Sequence, residues 1–458
     1  MSDNITRQSV LFPHLFSKPL RAQFDEQHGS SDGGAILLKG CDATLKLSER
    51  LAACLMDRRQ EGKVEHTVRD LLRQRLFGIA CGYADGNDAA RLGNDPIHKL
   101  LIDRDAITGA MLASQPTLSR FENAATRSDL YRMGEALAES VIERHRRRLG
   151  CHCKRLTLEL DPSDDPTHGM QQLSFFNGHY DSWCYLPVAA FVTFNGEPEQ
   201  YLLAYVLRPG NAPAKLGAIG LLRRLLERLR AAFPRARVLV RLDGGFAASE
   251  IFNFLEDVGC DYILAMAKNQ RLERRAARLM GKARRRSRRS GKTAHVYGET
   301  RYAARRWRQE RRVIIKAEVV CHPGREPKRN PRFVVTNLKG SPRRLYEKVY
   351  CARAHIENRI KELHHGLEID RTSCPRFLAN QFRVLLTAAA YVLMQELRRR
   401  AGGTSLARAQ VSTLRERLLK LGARIERSVR RIVVHLPRSC GWQNEWRRIA
   451  LSLGAVPT

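Results

Sequence analysis

Apolar positions along the chain change their period twice. From Gly34 to about residue 149 they recur at helical spacing, at 35–38, Leu45, Leu47, 51–55, Val68, Leu71, Leu72 and Leu76. Residues three and four apart share one face of a helix, so 31–150 is predicted to be an all-α region. A turn cluster at 82–88 and helical runs at 89–101 and 117–148 complete it. The polar residues 1–30 ahead of it are expected to form a flexible N-terminus.

From Leu156 the period drops to two. Leu156, Leu158 and Leu160 alternate with Thr157, Glu159 and Asp161, which predicts a buried strand ending in a carboxylate. Runs at 183–194 and 200–207, separated by Asn195-Gly196, read as a hairpin. An amphipathic helix at 215–233 leads to a second acid-ended strand at 237–243, with Gly244-Gly245 beyond it, then a helix at 247–258 and a strand at 262–267. This order predicts an α/β fold with an RNase H-like mixed sheet whose first and fourth strands lie side by side. Its first part is expected over 151–270.

Residues 271–340 read as a β-rich basic insertion, with strands at 302–307, 313–320 and 333–336 and an exposed loop carrying Arg284, Arg285, Arg286, Arg288 and Arg289. Core helices follow over 341–400, the stretch 382–397 being apolar enough to be buried. The basic region 401–458 predicts an amphipathic helix at 411–431 and a last strand at 432–436, with Trp442 and Trp446 packed inside.

Charge narrows the partner. The chain has 80 Lys and Arg against 47 Asp and Glu, a net charge of +33, which favours a polyanion through counterion release. No run approaches the roughly 20 apolar residues that span a bilayer, and Asp3, Arg7 and Pro13 interrupt any signal peptide. A cytoplasmic, nucleoid-associated protein acting on nucleic acid is therefore expected. The odd count of 11 cysteines argues against a full disulfide set, and Cys151-His152-Cys153 is too tight for a zinc knuckle.

Two strand-end aspartates held close repel each other unless a cation neutralises them. A pair of Mg²⁺ ions does so and activates a water or 3′-hydroxyl at a phosphodiester. A third carboxylate from a helix across the sheet completes such a site. Glu357 is the candidate, on a polar stripe of Tyr350, Arg353, Glu357, Lys361 and His364 at spacings of three or four.

Several motifs carry a resemblance. They are Asp161-Pro-Ser-Asp-Asp-Pro-Thr-His168, Phe176-Asn-Gly-His-Tyr180, Arg208-Pro-Gly-Asn211, Arg241-Leu-Asp243-Gly-Gly-Phe246 and Tyr350-x2-Arg353-x3-Glu357-Asn-x2-Ile-Lys361. Together they resemble bacterial insertion-sequence DDE transposases with an RNase H-like core, in the branch with a β-rich insertion between the second Asp and the Glu. Gly82-Tyr83, Asn87-Asp88 and Asp95-Pro96 extend the likeness into the N-terminal region, which is expected to bind DNA.

The resemblance implies that Asp161, Asp243 and Glu357 are the catalytic metal ligands for two Mg²⁺, with Mn²⁺ able to substitute. It implies that Tyr350, Arg353, Lys361 and His364 touch DNA, as the basic run Arg285, Arg286 and Arg288 is also expected to do. Double-stranded element ends and target DNA would be the partners of a homodimer. Two departures stand out: His364 occupies the place of a customary Lys, and Ser163 that of a Thr. Glu159 is a possible extra ligand and Trp307 a possible holder of a flipped base. A catalytically silent DNA-binding descendant and an RNase H-like nuclease are the alternatives.

Overall fold

Alternation of buried Leu156, Leu158 and Leu160 places the strand Arg155–Pro162 (β1) at the centre of one large mixed sheet. The computed structural model describes residues 9–457. β1 pairs antiparallel with Val188–Phe194 (β2), and β2 with Tyr201–Val206 (β3), the turn between β2 and β3 holding Asn195 and Gly196 at positive φ as a tight hairpin requires. On its other side β1 runs parallel to Arg237–Leu242 (β4), which runs parallel to Asp261–Met266 (β5). Both parallel connections pass through amphipathic helices, Ala218–Ala232 and Ser249–Asp257. The strands ending at Asp161 and Asp243 are thus neighbours pointing the same way.

Three further strands extend this sheet instead of forming a separate layer. Ala294–Tyr302 (β6), Arg311–Val320 (β7) and Arg332–Thr336 (β8) give the order β6-β7-β8-β5-β4-β1-β2-β3, with the short strand Lys328–Arg329 beside β7. The basic run is not a loop. It lies in the helix Gln270–Ser290, capped by Asn269, whose side chain accepts from the Leu272 amide at 3.0 Å, and ended by Gly291 at φ 64°. Leu272, Ala276, Met280, Ala283 and Ser287 recur every three or four residues and bury one face. Arg285, Arg286 and Arg288 are exposed on the remainder.

The N-terminal region is helical, but its helices share one hydrophobic core with the sheet. The bridge is Phe377–Arg400, which packs on the helices Val68–Ala80 and Arg127–Leu149 and on β3. Its length and apolarity suffice to cross a bilayer, contrary to the expectation of no such run, yet most of that window is buried inside the protein. The predicted 89–101 helix is two pieces, Ala89–Leu92 and Pro96–Leu101, the second capped by the Asp95 side chain on the His98 amide with Pro96 in the first turn.

Two expectations about the ends change. Residues 1–8 lie outside the described part, but Val10–Phe12 and Leu20–Ala22 form a hairpin and Gly29–Ser30 a short strand. The expected 411–431 helix stops at a π-turn, Arg415–Leu419, and Ala423–Arg427 becomes a strand between Gly29–Ser30 and Ile432–His435. Tertiary pairing outweighs helix propensity there, and Gly422 marks the break. Trp442 and Trp446 pack against the core as expected.

Candidate functional site

At the carboxyl ends of β1 and β4 the alternation of side chains stacks charges in two layers. Glu159 and Arg241 are register partners on the adjacent parallel strands. Arg241 donates from Nε and Nη2 to the two Glu159 oxygens at 2.9 and 2.8 Å, and both residues are buried. Two positions further along each strand, on the same face, come Asp161 and Asp243. Glu159 is therefore not an extra ligand. Its oxygens are engaged by Arg241, and Gln200 donates to one of them. Burial pushes its carboxyl up despite the opposing guanidinium.

Arg241 also donates from Nη1 to the Val349 carbonyl at 2.6 Å. That ties the sheet to the segment that carries the third acid. The stripe predicted as one helix is mixed: a π-turn at Leu345–Tyr350, a 3-10 turn at Cys351–Arg353, then α-helix over Ala354–Leu367. Tyr350 and Arg353 precede the α-helix, and Glu357 sits in its first turn, where a carboxylate is favoured.

Arg353 gathers the acids. Its Nη2 donates to Asp161 Oδ1 and lies 3.8 Å from Asp243 Oδ2, and its Nη1 lies 3.8 Å from Glu357 Oε1. Burial pushes the Asp161 carboxyl up to about 7, Arg353 opposing and the neighbouring Asp243 and Glu357 reinforcing the rise. Asp161 has a side chain 9% exposed and Glu357 one 55% exposed, so the cluster opens to solvent on the helix side. The Gly245 amide donates to Asp243 Oδ1 at 2.9 Å. A Cβ on Gly245 would stand 2.8 Å from that of Ala214, so only glycine fits that turn.

The other predicted contacts are scattered. Lys361 is exposed, whereas His364 Nδ1 pairs with Asp370 at 3.1 Å and turns partly inward. Trp307 packs edge-on against Phe252 and Tyr302 with the Arg311 guanidinium over its ring, which makes it a packing residue. The Arg208 motif is structural too. Arg208 is buried and donates to the carbonyls of Leu186, Pro213, Ala214 and Leu216. A Cβ on Gly210 would collide with the Cys184 carbonyl oxygen at 2.0 Å.

Asp165, in the short strand Asp165–Pro166 that follows β1, is buried and accepts from Thr372 Oγ1 at 2.9 Å, while its other oxygen has no hydrogen-bond partner among the described residues. Burial pushes its carboxyl up to about 8 from an ordinary 3.8. A carboxyl that binds its proton more tightly when folded contributes stability that fades as pH rises, here between about 4 and 8. Asp165→Asn, neutral throughout, is expected to gain on the wild type across that window, by roughly 2–5 kcal/mol at pH 9 relative to pH 4. Denaturation curves at the two pH values measure it; a difference that stays constant would show that Asp165 is ionised in the folded protein.

One other cluster has ligand chemistry. Asp32, Cys81 and His98 bring one donor atom each within 4.8 Å of one another, all buried. Lys420 Nζ and His98 Nε2 each lie 2.8 Å from Asp32. Burial would raise the Asp32 carboxyl, but these two partners outweigh it and hold it below the usual range. With an ammonium already in place, the cluster fits an internal ion pair joining the N-terminal and C-terminal segments.

An α/β protein with a mixed sheet, presenting three carboxylates around its strand ends, is the class that fold and site define. The family described as transposase DDE domain, group 1, matches residues 12–458, and the chain belongs to that family. No curated protein matches the chain. Membership supports a transposase-type function in DNA recombination, DNA as the partner and divalent metal as the usual cofactor of such enzymes.

Proposed function

We propose that the chain is an active transposase with an RNase H-like core, cutting the ends of its own mobile element and joining the released 3′-hydroxyls to target DNA. The observation that carries the reading is the guanidinium of Arg353 within 3.8 Å of Asp161, Asp243 and Glu357, acids delivered by two adjacent parallel strands and a distant helix. The order of β3-β2-β1-β4-β5, with β1, β4 and β5 parallel and β2 antiparallel, supports the RNase H-like assignment. All-oxygen donors suit hard cations, so Asp161, Asp243 and Glu357 would hold two Mg²⁺, or Mn²⁺ in its place. Such ions lower the pKa of bound water and stabilise the leaving oxygen of an in-line displacement.

The chain's own groups do the rest. Asp161 and Asp243 stand on rigid strand ends, and the Arg241 tether to Val349 fixes how the Glu357 helix approaches them. Tyr350, Arg353 and the exposed Lys361 would contact the incoming DNA, with His364 a lesser contact because Asp370 holds it. A homodimer in the cytoplasm, pairing two ends, is the assembly this chemistry needs. Purified protein with Mg²⁺ and a duplex carrying the inverted repeats that flank its gene should release 3′-hydroxyl ends and yield strand-transfer products. Cleavage without joining would favour a nuclease, and binding without cleavage a silent descendant.

The helix Gln270–Ser290 would supply phosphate contacts through Arg285, Arg286 and Arg288. Replacing all three with Ala is expected to weaken binding to any duplex. It should also flatten the salt dependence of log K by about 0.9 for each phosphate no longer neutralised, up to roughly 2.7. Fluorescence anisotropy between low and high salt reads the slope, and an unchanged slope would take this helix out of the DNA interface.

A further inference from the structure

Arg353 sits where the cations of the proposed reaction would sit. Its Nη2 bonds Asp161 and stands 3.8 Å from Asp243, while Nη1 stands 3.8 Å from Glu357. Its side chain is only 15% exposed, and its Nε is buried without a hydrogen-bond partner among the described residues. Within 4 Å, the guanidinium pairs with these three carboxylates and with no other acid among the described residues. Three like charges meeting at a partly buried site need a counter-ion, and in the free protein the chain provides its own.

Resting on the transposase reading of this site, we propose that Arg353 is a tethered counter-ion that competes with divalent metal for Asp161, Asp243 and Glu357. A guanidinium and a divalent ion gathered among these oxygens repel each other, and Arg353 already stands between them. Metal entry is therefore favoured when Arg353 swings outward. Its backbone permits this, since it ends a 3-10 turn joining a π-turn to the α-helix, a place where the regular helical ladder is already broken. Outside the cluster the acceptor that best replaces three carboxylates is a phosphate, which takes a guanidinium in forked geometry. Metal occupancy and DNA binding are thereby coupled: the free protein takes up metal poorly, and a phosphate backbone that captures Arg353 opens the acids to it.

Mn²⁺, counted by electron paramagnetic resonance, tests this on the full chain without DNA. Arg353→Gln is expected to bind Mn²⁺ at least roughly tenfold more tightly than the wild type, as withdrawing a positive charge from about 4 Å would do. Arg353→Lys, which keeps the charge but loses the fork that spans three carboxylates, is expected to fall between them and guards against a Gln variant that does not fold. Adding Asp161→Asn to either variant should abolish the gain. If neither variant binds Mn²⁺ more tightly while Asp161→Asn still abolishes wild-type binding, the counter-ion proposal is overturned and the metal site stands. If no Mn²⁺ binding depends on Asp161 in any variant, both fail together.

Discussion

Asp161→Asn is expected to lower Mg²⁺-dependent cleavage of element ends by roughly a thousandfold or more without lowering duplex affinity. The carboxylate is the most enclosed of the three acids and the one bonded directly to Arg353, so no neighbouring oxygen replaces it. Removing its charge would withdraw a ligand from the proposed cation site, and metal-borne stabilisation of the transition state amounts to several kcal/mol, about a thousandfold in rate. Asp243→Asn and Glu357→Gln should behave alike. The phosphate contacts proposed for the basic helix would not involve Asp161, so binding should persist. A gel of cleaved ends beside an anisotropy titration separates the two effects, and a variant that still cuts at the wild-type rate would leave the triad.

Arg241→Met is expected to destabilise the protein by about 3–5 kcal/mol, because it strands Glu159 as a buried carboxylate without its partner. Both Glu159 oxygens accept from Arg241, Glu159 is 1% exposed, and only Gln200 remains to satisfy it. The double variant with Glu159→Leu removes both charges and is expected to recover most of that loss, since the charge left behind is what costs. Activity should not recover with it. Arg241 also holds the Val349 carbonyl ahead of Tyr350 and Arg353, and no leucine or methionine donates that bond. Urea denaturation of the single and double variants checks the stability, and end cleavage checks the tether. Full activity in a restored double variant would reduce Arg241 to a packing role.

Much of this site is legible in local pattern. Period two ending in Asp161 and again in Asp243 marks both strands, and hairpin chemistry at Asn195-Gly196 sets the direction of the next two. The stripe from Tyr350 to Lys361 points to Glu357. What local pattern misjudges is charge. Glu159 reads as a spare ligand because its partner is Arg241, on another strand, and only the parallel register brings them level. The run 284–289 reads as a loop because its arginines hide a buried stripe of Leu272, Ala276, Met280, Ala283 and Ser287, whose small residues are weak signals by themselves.

Residue order was enough to place the strands and helices around the acids, because apolar periodicity reflects which face each segment must bury. It was also enough to make the expected partner a polyanion, because net charge is a sum over residues. Which charge neutralises which was left to the folded chain. Coulombic and hydrogen-bond partners are chosen by distances of about 3–4 Å across elements far apart in the chain, so neither the Glu159–Arg241 pair nor Arg353 among three carboxylates follows from spacing along it.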